Sequence, residues 1–102
     1  MDLYGADSYV IAARLGFKEV TRTYLQRLLK ARSEKWIPPT ILFSIYFSLG
    51  ENENGLQSLY QAAKENDPGL HIISVLPLWD DYTNTPSVNA FLSKWQTDTN
   101  LP

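Results

Sequence analysis

The chain has 102 residues, 44% of them apolar and 20% charged, with a net charge of -2 and no cysteine. This is ordinary usage for one globular domain, so a disordered or fibrous chain is excluded, as are disulfides, thiolate metal sites and a cysteine nucleophile. No stretch approaches the roughly 18 uninterrupted apolar residues of a membrane span; the acidic start MDLYGADSY also lacks the cationic lead of a secretory signal, so the chain reads as soluble, cytoplasmic or periplasmic.

In chain order, the spacing predicts a first helix over SYVIAARLG, stopped by Gly16, and a second over FKEVTRTYLQRLLKARSE with Val20, Tyr24, Leu25, Leu28 and Leu29 as its apolar stripe. KWIPP cannot continue that helix, because proline lacks a donor and disfavours helical geometry in the residue before it. Pro38 or Pro39 instead opens a third helix, PTILFSIYFSLG, which ends at Gly50. NENGLQSLYQAAKEN makes a fourth, with Leu56, Leu59, Tyr60 and Ala63 as its stripe, and Asp67 with Pro68 supplies the cap and first turn of the next element. The run LHIISV has strand-like branching, but no second strand is available to pair with it, and a short helix is expected. Thr85 and Pro86 then open a last helix with Val88, Phe91, Leu92 and Trp95 on one face.

Charge is segregated along these elements. Arg14, Lys18, Arg22, Arg27, Lys30, Arg32 and Lys35 stand against Glu19 and Glu34, whereas the chain from Glu51 onward is acidic on balance. A basic helix can meet nucleic acid, but without an interleaved aromatic pattern a solvated face is the better account, and contact with an acidic partner stays open.

Shifted by 34 positions, the sequence lays Ile11 on Ile45, Leu15 on Leu49, Gly16 on Gly50, Leu25 on Leu59 and Lys30 on Lys64, with Thr21 on Gly55. A period of this length marks stacked helix-turn-helix units. Gly55 sits inside a helix, where glycine costs about 1 kcal/mol relative to alanine. The short turn forces the two helices of the unit to pack antiparallel, and near it only a small residue fits, so Gly55 and Thr21 are expected to mark that close approach.

These residues resemble the tetratricopeptide repeat. The second copy carries the family's pattern in Leu42, Tyr46, Gly50, Leu59, Ala62 and Pro68, with Gly55 in place of an alanine and Phe43 at a usually small position; the first copy matches at Gly16 and Leu25. The tail, through Asp67, Pro68 and Leu70, then Pro77, Leu78, Trp79 and Asp80, then Pro86, Phe91 and Leu92, is similar to the ending of a bacterial branch of these repeats found in winged-helix activators, nucleotide cyclases and protein kinases. The resemblance implies one all-α domain over residues 1–102, an α-α superhelix of antiparallel hairpins with repeats near 7–36 and 38–68 and a C-terminal cap near 69–98. It implies a non-catalytic protein-protein interaction or regulatory module, the C-terminal part of a bacterial signalling or transcription regulator. A purely structural cap or linker, or a free-standing small adaptor, is the alternative.

The family's concave ligand face falls on Val10, Ala13, Arg14, Thr40, Ser44, Phe47 and Ser48, suited to a protein or peptide partner. The family's carboxylate clamps use lysine, asparagine and arginine there, and only Arg14 offers such a group. The N-terminal apolar face, near Leu3, Tyr4, Val10 and Ile11, is expected to be covered by earlier repeats or by a second copy in a homodimer.

Catalytic and metal sites are not indicated, and no cofactor is implied. His71 has neither a nucleophile nor a second histidine beside it, and Asp80 and Asp81 lack a glycine-spaced calcium loop. Trp36 is expected to wedge between repeats, and Trp79 and Trp95 to pack in the cap.

Overall fold

Helix formation follows the punctuation of the sequence. The computed structural model, which describes residues 6–73, 82 and 84–99, places α1 at Ala6–Arg14, α2 at Lys18–Ala31, α3 at Pro39–Ser48, α4 at Asn52–Lys64, α5 at Gly69–Ile73 and α6 at Pro86–Thr99. No strand occurs among the described residues, and LHIISV is helical through Ile73. Leu3, Tyr4, Pro77, Leu78, Trp79, Asp80, Asp81 and Thr83 lie outside the described residues.

Three helices end in the same way. After α1, the Phe17 N–H donates to the Ala12 carbonyl at 2.9 Å and the Gly16 N–H to Ala13 at 3.0 Å. After α3, Glu51 and Gly50 repeat these bonds onto Tyr46 and Phe47 at 2.9 and 3.1 Å, and after α4, Asp67 and Asn66 repeat them onto Ala62 and Ala63. This paired closure needs a left-handed residue just past the helix, and Gly16, Gly50 and Asn66 have φ of +101°, +82° and +57°. Each short turn folds the following element back on the helix just ended, so α1 packs on α2 and α3 on α4.

Both hairpins bury equivalent positions. Thr21, Tyr24, Leu25 and Leu28 are the buried residues of α2, and Gly55, Ser58, Leu59 and Ala62, each 34 residues later, are those of α4. Tyr24, Leu25, Leu28 and Leu59 are buried as their stripes lead one to expect, and Thr21 and Gly55 take the close approach expected of them, whereas Val20 and Tyr60 are exposed and the buried stripe of α4 runs one position earlier. A Cβ added at Gly55 would sit 2.6 Å from Phe47 Cε2 and nearer still to Cδ2. Thr21 is fully buried in the first hairpin and donates its hydroxyl to the Tyr9 carbonyl at 2.6 Å.

α3 is the axis of the molecule. Ile41, Leu42, Phe43, Ile45 and Phe47 are all buried, so it is apolar nearly all round and must be enclosed. It packs against α1, α2, α4 and α5. Enclosure extends to its N-terminus, where unsatisfied N–H groups would be costly. Pro38 and Pro39 have no N–H, Ile41 donates to the Pro38 carbonyl at 3.0 Å, and Thr40 donates its backbone N–H at 2.9 Å and its hydroxyl at 2.8 Å to Asp67 Oδ2. The other oxygen of Asp67 accepts the Gly69 N–H at 2.8 Å at the start of α5. One buried carboxylate thus caps two helices.

α6 opens at Pro86, with the Asn89 N–H bonding the Thr85 carbonyl at 2.8 Å. It packs on α4, where the rings of Tyr60 and Phe91 meet edge-on at 5.0 Å, and Val88, Phe91 and Leu92 are buried.

Two substitutions test this account. Asp67→Ala should lower the stability to urea by about 2–3 kcal/mol, since it removes two caps and a charged acceptor, and Asp67→Asn should recover part of it; a loss within error of zero would refute the double cap. Gly55→Ala sets propensity against packing. Helix propensity alone would raise stability by about 1 kcal/mol, whereas overpacking costs about 1–3. Net destabilisation is expected, and the penalty of Gly55→Ala should vanish when it is measured in a Phe47→Ala background; a stabilised single variant would remove the close approach.

Candidate functional site

The face implied by the resemblance is taken up by the chain itself. Val10, Ala13, Thr40, Ser44, Phe47 and Ser48 are buried, and only Arg14 of the seven is exposed. Phe47 turns towards α4, where it meets Gly55, and does not look out from the stack. The hydroxyls are satisfied locally: Ser44 donates to the Thr40 carbonyl at 2.9 Å and Ser48 to Ile45 at 2.7 Å. Tyr82 lies over this region, its ring 6.1 Å from that of Phe43 and 5.6 Å from that of Phe47, and the Arg14 guanidinium stands 5.5 Å from the Tyr82 centroid in cation–π range. What remains open beside Thr40 and Ser44 is a narrow cleft of about 110 Å³ between α1, α3 and α5.

A larger groove, about 570 Å³, lies between the turn after α2, α3 and α4, within the usual size of a ligand site. Buried Ile37 and Leu42 and half-buried Tyr46 line its inner part. Its rim carries Arg32, Lys35 and Trp36 from the turn, and Asn54, Gln57 and Gln61 at one-turn intervals along α4. Glu65 is its one carboxylate against two cations, a positive lining on a chain of net charge -2.

Trp36 helps to form this groove instead of wedging between the hairpins. It is half-exposed and borders both the groove and the cleft, and its indole N–H donates to Glu65 Oε1 at 2.5 Å, while the Gln61 carboxamide donates to Glu65 Oε2. The Gln61 and Trp36 hydrogen bonds hold the Glu65 carboxyl below the usual range against an opposing effect of burial, with the Arg32 and Lys64 charges adding lesser contributions. The sequence signals for this site are the exposed amide and acid row of α4 and the indole ahead of two prolines. Neither reveals that residues 29 positions apart meet.

His71 lies at the surface of α5, its ring 4.9 Å from that of half-buried Trp95 on α6. Among the described residues no group of three His, Asp or Glu side chains is placed to hold a metal ion, and no helix is long and apolar enough to cross a membrane. Lys18, Arg22, Arg27 and Lys30 line the exposed side of α2, and Arg22 pairs with Glu51 at 3.0 Å across to the second hairpin. Comparisons of the chain with protein-family models, curated proteins and solved structures found no match.

The lowered Glu65 pKa has a defined sign. Its contribution to holding Trp36 is complete above the unfolded glutamate value and disappears as pH falls through the lower folded one. Fluorescence of the chain minus that of Trp36→Phe should titrate with a midpoint below the ordinary glutamate value of about 4.3. Gln61→Ala should raise that midpoint and Glu65→Gln abolish the titration; a midpoint at or above the ordinary value would sink the assignment.

Proposed function

We propose that this chain is a non-catalytic protein-interaction module of two tetratricopeptide-like hairpins with a C-terminal capping helix, α6, and that its first hairpin receives a further helical hairpin on its open side, as in the tail of a bacterial signalling or transcription regulator. The observation that carries this is the unequal burial of equivalent residues. Ile45 and Leu49 are 0% and 4% exposed, whereas Ile11 and Leu15, 34 positions earlier, are 45% and 71% exposed. α3 has the α1–α2 hairpin against it, whereas α1 packs mainly on α2 and α3. The positions that differ are those that a preceding hairpin covers in a stack. Phe17 and Val20 extend the exposed apolar surface into the turn and α2.

Arg14, Lys18 and Glu19 flank this surface, positive on balance, so a second copy docking through the same patch would bring a net like charge together. A different hairpin with acidic flanks fits better than the homodimer. A free-standing small adaptor would leave Ile11, Leu15, Phe17 and Val20 with no task.

Placing a consensus tetratricopeptide hairpin directly ahead of Ala6, in the 34-residue register, should raise the urea midpoint of the chain and remove binding of an apolar dye. Ile11→Ser with Leu15→Ser should lower dye binding on the chain alone and remove the gain from the added hairpin. Independent unfolding of added and native hairpins would overturn the stacking proposal.

A further inference from the structure

We propose that Asn54–Gly55 is a site of spontaneous covalent modification, at which the asparagine becomes an aspartyl or isoaspartyl residue. Opening of the first turn of α4 sets the rate. This goes beyond the interaction-module reading and does not depend on it.

Asparagine is followed by glycine at one place in the sequence. Glycine puts no Cβ in the way of its own amide nitrogen and leaves the backbone free to turn that nitrogen towards the preceding side chain. The Gly55 nitrogen, its proton passing to solvent base, attacks Asn54 Cγ; the Cγ–Nδ2 bond breaks and ammonia leaves. One water then opens the cyclic imide. Cleavage at Cγ gives aspartate, and cleavage at the main-chain carbonyl gives an isoaspartyl link, in which the backbone runs through the side chain.

Packing keeps this labile pair in the sequence and the helix restrains it. A Cβ at position 55 would press on the Phe47 ring, so a residue that would slow the attack is shut out. Helical torsions at Asn54 hold the Gly55 nitrogen out of line with Cγ, and its N–H donates to the Glu51 carbonyl at 3.1 Å. That bond belongs to the first turn of α4, whose N-cap, Glu51, makes no side-chain cap bond. A helix end without such a cap opens at low cost. The Asn54 carboxamide is exposed and donates to Glu51 Oε1 over a long 3.4 Å, so it is reached by water as soon as the turn frays.

The two products act differently. Aspartate at position 54 lies in the first turn of α4, where a carboxylate suits the helix dipole. Isoaspartate adds one carbon to the backbone beside Gly55, which breaks the hydrogen-bond register of the turn and draws Gly55 off Phe47. The isoaspartyl form therefore loosens the second hairpin irreversibly.

The full chain, aged at mildly alkaline pH with and without denaturing guanidinium chloride, is cut with trypsin. The Trp36–Lys64 peptide is then followed by fragmentation mass spectrometry and isoaspartyl methyltransferase labelling. Modification should localise to Asn54, fall at least tenfold in the denatured chain with Gly55→Ala, and run at least tenfold slower in the folded chain. Below the unfolding transition the rate should change little with denaturant, because fraying of one turn exposes little surface. The isolated isoaspartyl form should show a lower denaturation midpoint than the unaged chain, and the aspartyl form should match Asn54→Asp. The proposal is overturned if Asn54 stays intact in the denatured chain, if folded and denatured chains react equally fast, or if the folded-state rate climbs with the full slope of global unfolding. An isoaspartyl form as stable as the unaged chain would overturn it as well.

Discussion

α3 carries apolar side chains on nearly every side, and a helix of that kind has to be enclosed, not laid on a surface. Enclosure has a polar consequence that the apolar residues cannot meet, because the first turn of any helix leaves donors without partners. Two consecutive prolines remove two of those donors, one N–H turns back onto Pro38, and the Asp67 carboxylate takes the Thr40 N–H. The same carboxylate begins α5, so the element that covers part of α3 is anchored by the group that makes covering its N-terminus tolerable. Gly69 belongs to this junction as well, since a Cβ there would stand 3.0 Å from Thr40 Cβ and press on its hydroxyl. The second hairpin, α5 and the start of α3 are thus one cooperative unit.

The first hairpin is attached to that unit differently. α1 lies on α3, and a polar link that reaches from α2 to the second hairpin is the surface pair Arg22–Glu51. Exposed pairs of this sort contribute little, of order 0–1 kcal/mol. The hairpin is held mainly by apolar burial on one side of α1, while Ile11 and Leu15 on its other positions meet solvent. Its local opening therefore breaks mostly apolar contacts. An occupant of its open side would stabilise it by mass action, so docking there and ordering of the hairpin are linked.

Much of the architecture is legible in the sequence because its signals are local. A left-handed residue has to follow a helix that turns back sharply, and Gly16 and Gly50 announce this at a spacing of 34. Pro38 or Pro39 is expected to open a helix and Pro39 does, and Asp67 caps one. The stripes of α2 and α4 are harder to read, since Val20 and Tyr60 are apolar and fit a helical period equally well. Only the packed neighbour, Phe47 against Gly55, decides which side of the helix is in. The concave face misleads for the same reason. Ser44 and Ser48 look like surface residues in a sequence, but a hydroxyl that can bond a carbonyl in the turn before it is at ease in a core.

The groove is the least legible feature, and the cause is long-range. Trp36 and Glu65 acquire their roles only when the turn after α2 comes to rest against the end of α4, and no periodicity links them. The charge pattern nevertheless contains half of it. A solvated face is the sequence expectation for the cations between Arg14 and Lys35, and it holds for Lys18, Arg27 and Lys30 on the outer side of α2. Arg32 and Lys35 differ because α2 has ended at Ala31, and a turn presents its side chains along the path of the chain, not around an axis. Helix termination is therefore what converts two members of a basic stripe into one wall of a groove. The tight turns after α1 and α3 leave no room for such a wall, since three residues close each of them. The seven residues between α2 and α3, fixed by Ile37 inward and by two prolines, provide the room. The site is thus a product of the longer connection between the two hairpins.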